Sequence, residues 1–177
     1  MARDERLRLF LALRLPDGVL DEVERWQREE LRNVRAVPRE HLHVTLAFLG
    51  GRPAGELEAI VGALREAAAG AREIRLTPLR YRETRSVGML VLEDEAGNGA
   101  RLAGDLHARL ERLGAYRREA RPWLPHLTVA RWRGRPRLHP QPPPGRTFVP
   151  SDAAAYLSRL HPAGARYEVL ESVALGG

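Results

Sequence analysis

The chain alternates short apolar runs with helical stripes, and their order predicts most of the fold. Residues 7–15 form a nearly unbroken apolar run, read as a buried first strand closed by Pro16-Asp17-Gly18. Over residues 19–31 the apolar positions Val19, Leu20, Val23, Trp26 and Leu31 fall close to helical spacing. Pro38 ends a short strand at 34–37, and a second, strongly β-prone strand is predicted over 41–49, stopped by Gly50-Gly51. Residues 56–69 read as an amphipathic, alanine-rich helix terminated at Gly70. A strand pair at 73–80 and 86–93 follows, then a turn-rich segment at 94–99 and a helix from about 100 to 113. Residues 125–132 are another strand, and the aperiodic, Pro- and Arg-rich segment 133–146 is an exposed loop. Two last strands, 153–159 and 167–175, are parted by His161-Pro162-Ala163-Gly164. Helices and strands intermix and the strand pairs look antiparallel, so the expected class is α+β.

One pattern occurs twice. His43-Val44-Thr45-Leu46 and His126-Leu127-Thr128-Val129 both read His, aliphatic, Thr, aliphatic, each on a predicted strand. Alternation puts His43 with Thr45 on one face, and His126 with Thr128, over an apolar floor. If the strands face each other, the result is a pocket of two imidazoles and two hydroxyls, expected in a bilobal fold with one motif per lobe. In-line displacement at a phosphodiester needs a base for the nucleophile and an acid for the leaving oxygen. Imidazole, with a pKa near 6.5, serves in either role, and threonine hydroxyls can bind the non-bridging oxygens. A single H-x-T is more often a histidine on a half-buried sheet face. The second copy in a matching aliphatic setting is what points to catalysis.

Composition narrows the partners only slightly. The 177 residues suit one domain, 1–177, with two lobes sharing a cleft. There are 29 basic against 23 acidic residues, net +6, and every basic residue is arginine. Arginine's planar fork suits phosphate, but Ala, Gly and Pro are abundant too and Lys is absent, so compositional bias accounts for most of the excess. A nucleic-acid substrate is permitted rather than demanded. With no cysteine there is no disulfide or thiolate chemistry, and no apolar run approaches the ~20 residues of a membrane helix. Residues 1–8 carry charges of both signs and no leader pattern, so a cytoplasmic location is expected. No phosphate-binding glycine loop, H-E-x-x-H helix, G-x-S-x-G elbow or dinucleotide fingerprint is present, and no cofactor is expected.

The remaining candidates have plainer readings beside them. His41 and His43 form an H-x-H that joins His126 in a conceivable three-histidine metal site, although nothing marks a fourth ligand. His107 reads as a helix-surface residue, and His139 and His161 as loop residues beside prolines. Phe48 would suit base stacking, but its parity matches Val44 and Leu46, which assigns it to the core. Arg131 ends the second motif strand, within reach of a phosphate or simply solvated. Arg133, Arg135 and Arg137 either track an RNA backbone or keep the proline-rich loop soluble.

Pro38-Arg39-Glu40-His41-Leu42-His43-Val44-Thr45-Leu46-Ala47-Phe48-Leu49-Gly50 closely resembles the first motif of the bacterial and archaeal RNA 2′,3′-cyclic phosphodiesterases, once called 2′-5′ RNA ligases. These belong to the two-histidine phosphoesterase superfamily. Pro125-His126-Leu127-Thr128-Val129-Ala130-Arg131 is similar to the second motif, and Arg8-Leu9-Phe10-Leu11-Ala12 and the 156–170 tail also resemble the family. The resemblance implies two antiparallel sheets facing a central cleft, with helices on the outer faces. It implies metal-independent hydrolysis of a terminal 2′,3′-cyclic phosphate to a 2′-phosphomonoester. His43 would then be the proton donor, His126 the proton acceptor, and Thr45, Thr128 and Arg131 substrate-binding; the residues alone leave the donor and acceptor roles open. RNA ends are the implied partner, with no membrane and a monomeric chain, and 2′-5′ ligation is a minor reverse activity. A non-catalytic RNA-end or nucleotide-binding module is the alternative from another class. The chain departs from the family at Ala36, where a tryptophan is common, at Thr84-Arg85-Ser86-Val87, and in the short 133–145 loop.

Overall fold

Strand β1 (Arg6–Arg14) is buried on both faces, which is why its apolar run shows no period of two. Leu9, Leu11 and Leu13 enter the main core, while Phe10 and Ala12 join a separate small cluster with Ala154 and Tyr156. The structure, a computed structural model, describes residues 5–176; residues 1–4, part of the stretch read for a leader, lie outside it. After β1 come α1 (Asp17–Glu30), the two-residue β2 (Arg35–Ala36), β3 (Val44–Pro53) and α2 (Leu57–Ala69). The chain continues through β4 (Arg75–Glu83), β5 (Val87–Glu95), α3 (Asn98–Arg112), β6 (His126–Arg131), β7 (Asp152–Arg159) and β8 (Arg166–Val173).

The strands form two four-stranded antiparallel sheets, ordered β3-β1-β7-β8 and β2-β6-β5-β4. Helices α2 and α3 pack together, α2 against β7 and β8, while α1 backs the second sheet through Gln27. One hydrophobic cluster runs through both sheets, from Leu9 and Leu11 to Leu90 and Leu127. The α+β class, the two antiparallel sheets and the element order agree with the sequence reading.

The second predicted strand needs correction at both ends. Residues 39–41 wind into a 3-10 turn, so the strand begins at Val44 and not at His41. Arg39 holds that turn to α1 through Asp21 at 2.6 Å, Glu24 at 2.7 Å and Asp17 at 3.1 Å. Gly50-Gly51 does not stop the strand either. Gly50 takes φ +66°, where glycine is at ease; the ladder skips Leu49, pairing Phe10 with Phe48 and Leu9 with Gly50, and then runs on to Pro53.

Both motif strands carry an extra residue just after the threonine. Leu11 pairs with Ala47 but Ala12 with Thr45, so Leu46 is bulged out of the β1–β3 ladder. Gly88 pairs with Ala130 but Met89 with Thr128, so Val129 is bulged in the same place of β6. A bulge shifts side-chain parity by one. Leu46 and Ala47 are therefore both buried and Phe48 turns outward, half exposed at 50%, which overturns its assignment to the core. By the same shift Val129 and Ala130 are buried, and Arg131 joins the face of His126 and Thr128.

The bulges set the carbonyls of Leu46 and Val129 in reach of the helices, and a buried polar side chain meets each. His107, read as a surface residue, is only 8% exposed, and its Nε2–H donates to the Leu46 carbonyl at 2.7 Å. Gln27 Nε2 donates to the Val129 carbonyl at 2.9 Å and the Val37 carbonyl at 3.0 Å. His107→Leu should leave the buried Leu46 carbonyl unpartnered and cost roughly 1–3 kcal/mol, measured by urea unfolding. A wild-type midpoint would contradict the pinning role.

Candidate functional site

The two sheets flank a cleft of about 830 Å³ whose lining includes His43, Thr45, Thr128 and Arg131. His43 stands in the two residues between the 3-10 turn and β3, so it is set by both. Its Nδ1–H donates to the His41 carbonyl two residues back at 2.7 Å, which fixes the neutral tautomer and leaves Nε2 as acceptor. The Thr45 hydroxyl donates to that Nε2 at 2.9 Å. His126 repeats the first device: its Nδ1–H donates to the Leu124 carbonyl, also two residues back, at 2.8 Å. Its Nε2 has no protein partner among the described residues.

His126 stands beside the cleft lining rather than in it. It is still near enough for its charge to disfavour a proton on His43. The link is Trp123, whose indole N–H donates to the Thr45 carbonyl at 2.9 Å and so ties the approach of β6 to β3. Of the two histidines and two threonines expected to share a pocket, His43, Thr45 and Thr128 line the cleft and His126 stands beside it.

Beneath His43 lies an aromatic floor whose members the sequence places on predicted strands without singling them out as site residues. Phe10 is 4.9 Å from the His43 ring between centroids, and it stacks on Tyr156 at 4.8 Å. Tyr167 meets Phe10 edge-on at 4.8 Å. This enclosure pushes the His43 pKa down to about 4; its hydrogen bond to His41 raises it, and the charges of His126 and Arg131 lower it further. His43 is thus uncharged at neutral pH while the cleft is empty.

The cleft is strongly basic. Arg8, Arg35, Arg131 and Arg166 line it, and among the described residues none of the four has a carboxylate partner. Arg35 and Arg131 sit directly opposite each other on β2 and β6, an unfavourable like-charge pairing that an anion would relieve. Glu40 is the one acidic residue of the lining among the described residues. None of Arg133, Arg135 and Arg137 lines the cleft; Arg135 is paired with Glu83, which also accepts from the Leu138 amide at 3.0 Å. The loop is thus tethered to β4. Thr84 turns back on itself beside it, and Ala36 lines the cleft with only a methyl group.

Among the described residues no group of three or more His, Cys, Asp or Glu side chains is arranged to hold a metal ion. The imagined triad fails on geometry: the His41 ring stacks on Tyr167 at 4.2 Å, and His43 Nδ1 is committed to a carbonyl. Among the described residues no helix is long and apolar enough to cross a membrane.

Two four-stranded sheets, each offering a carbonyl-tethered histidine and a threonine beside a basic cleft, define a two-lobed α+β protein of the paired-histidine class. The chain belongs to the 2′-5′ RNA ligase superfamily, which its residues 15–143 match. It is 35% identical to the RNA 2′,3′-cyclic phosphodiesterase of Thermus thermophilus over 97% of this chain and 91% of that protein. It is 23% identical to the RNA 2′,3′-cyclic phosphodiesterase of Methanocaldococcus jannaschii over 71% of each. Among solved structures, Thermus thermophilus TT0787 superposes with TM-score 0.82 at 32% identity, covering 97% of this chain and 99% of that one. Escherichia coli LigT complexed with 3′-AMP shares the fold, with TM-score 0.84, 24% identity and coverage of 98% and 100%.

The depressed His43 pKa also bears on stability. The unfolded chain binds a proton near pH 6.5 and the folded chain only near 4, so stability is complete above 6.5 and falls as pH drops through that window. The loss is on the order of 3 kcal/mol at most. Urea unfolding between pH 4 and 7 should show this slope, flattened in His43→Gln. An equal slope in both proteins would contradict it.

Proposed function

We propose that the chain opens RNA 2′,3′-cyclic phosphate ends to 2′-phosphomonoesters by acid–base catalysis between His43 and His126. The observation that carries this reading is the matched pair of imidazoles, each holding its Nδ1 proton on a carbonyl two residues back and its Nε2 for chemistry. The cyclic phosphodiesterase names of the two relatives support it. His126 Nε2 takes a proton from water, whose oxygen attacks phosphorus. The bond from phosphorus to the 3′ oxygen breaks, and His43 Nε2–H protonates that oxygen. Thr45, Thr128 and Arg131 hold the non-bridging oxygens as charge builds on them. Proton transfer alone balances this reaction, so no cofactor enters it. The substrate must carry a 2′-oxygen, which excludes DNA.

The reverse step, joining a 5′-hydroxyl to the cyclic end, gives a 2′-5′ link. It is the minor direction because water at ~55 M outcompetes a dilute hydroxyl. The two lobes act as one domain, since a single hydrophobic cluster runs through both.

A second reading exchanges the histidine roles, and one observation favours it: His43 is neutral in the empty cleft, which suits a base. For His43 to donate, the bound phosphate must return its proton, as an adjacent anion does for an imidazolium. Both assignments give the same kcat/KM profile, a plateau bounded by the titrations of the two histidines, so the leaving group separates them instead. A cyclic substrate with sulfur in place of the 3′ oxygen departs without a proton donor. It should restore turnover to His43→Ala if His43 is the donor, and to His126→Ala if His43 is the base.

The direct experiment is hydrolysis of a short RNA ending in a 2′,3′-cyclic phosphate, in EDTA, with the product identified by phosphorus NMR. A 2′-phosphate is expected, with loss of about 10²–10⁴-fold in kcat for His43→Ala and for His126→Ala. Intact binding without turnover would favour the non-catalytic RNA-end module, and turnover only on adding metal would refute the acid–base pair.

A further inference from the structure

Phe48 and Tyr167 stand on the two edge strands of one sheet, β3 and β8, three strand spacings or about 14 Å apart. The His43 ring lies between them, over Phe10. At the first edge the Phe48 ring is half exposed, and the Arg8 guanidinium sits 5.0 Å from its centroid. At the second edge Tyr167 carries His41, with ring centroids 4.2 Å apart and planes 31° from parallel. His41 lines the cleft, is partly exposed, and its ring makes no hydrogen bond among the described residues. Its carbonyl already tethers His43, so the fold has a use for its backbone and none yet for its ring.

We infer that His41, braced from behind by Tyr167, is a stacking platform for a second base, and that the cleft takes the last two nucleotides of an RNA end. The inference rests on the proposed reading of the cleft as an RNA-end site. Three observations carry it beyond that reading. At about 830 Å³ the cleft lies near the upper end of the roughly 300–1,000 Å³ that small-molecule sites span. It offers one aromatic face on each side of the reacting histidine, where a lone nucleotide has one base to stack. Arg35 and Arg166 line the same cleft as His41, and neither has a carboxylate partner among the described residues. A phosphate joining two nucleotides supplies the anion that those arginines lack, and it outweighs the exposed Glu40 beside them.

Burial holds the His41 pKa below its ordinary value, with Arg131 and Arg35 adding to it and Glu40 opposing, so protonation is disfavoured and the ring presents an aromatic face. Stacking of this kind tolerates any base, because every base has a π-face. The specificity is therefore for length and not for sequence: an RNA end is held by two bases and a linking phosphate, a mononucleoside cyclic phosphate by one base.

The test compares kcat/KM for adenosine 2′,3′-cyclic phosphate with that for the dinucleotide ApA bearing the same end. The wild-type protein should favour the dinucleotide by at least about tenfold. His41→Ala should cut that ratio by about tenfold and His41→Phe, which keeps a ring, should restore it. A wild-type ratio near one, or an equal loss on both substrates in His41→Ala, would overturn the platform. Affinities for adenosine 2′-phosphate and for ApA 2′-phosphate give the same comparison without turnover. If neither cyclic substrate is hydrolysed, the catalytic reading fails on its own, while the affinity ratio in wild type, His41→Ala and His41→Phe still upholds or overturns the platform.

Discussion

The extra residue directly after the threonine of each motif strand is the constraint on which the site depends. Leu46 and Val129 are bulged directly after Thr45 and Thr128, and each bulge re-aims the side chain two positions on. Without them Phe48 and Arg131 would point into the cores and the cleft would lose an aromatic wall and its central cation. Each bulged carbonyl also meets a buried side chain: His107 from α3 donates to that of Leu46, and Gln27 from α1 to that of Val129, which accepts the Val37 amide too. These are two of only three buried polar residues among those described. The helices thus do more than cover the sheets. They hold the irregular step that turns two ordinary strands into two walls of a site.

A second consequence is electrostatic. Most arginines with an ion pair lie outside the cleft, as with Arg39, Arg52 and Arg109, whereas Arg8, Arg35, Arg131 and Arg166 face it without carboxylates among the described residues. Their mutual repulsion is a standing cost that a polyanion removes. The same enclosure that concentrates this field keeps His43 uncharged until an anion arrives. On the proposed function, binding and protonation are linked: a phosphate attracted by the arginines would also make the imidazolium favourable.

The repeated H-x-T was legible because it is local: alternation on a strand fixes which side chains share a face over three residues. The helices and strands were legible for the same reason, from apolar period and turn residues. What lay beyond local pattern was lost. Parity fails past Thr45 and Thr128 because the bulges are fixed by pairing with β1 and β5, which no single segment reveals. His107 looked like a surface residue because the carbonyl it meets lies 61 positions away. Phe10 and Tyr156 looked like ordinary strand residues because β1 and β7 are covered on both faces, so a core side chain and a cleft-floor side chain give the same apolar signal. Trp123 carried no pattern at all, although its hydrogen bond brings the second motif to the first.

The central claim is that His43 is a neutral imidazole made into an acid by the substrate's own charge. Nitrogen-15 NMR of the histidine rings, titrated with and without adenosine 2′-phosphate, tests this directly. In the empty cleft His43 should hold its proton on Nδ1 and stay neutral down to about pH 4; with the ligand bound it should gain a second proton well above that value. Titration near the ordinary 6.5 in the empty protein, or no change on adding the ligand, would contradict the account.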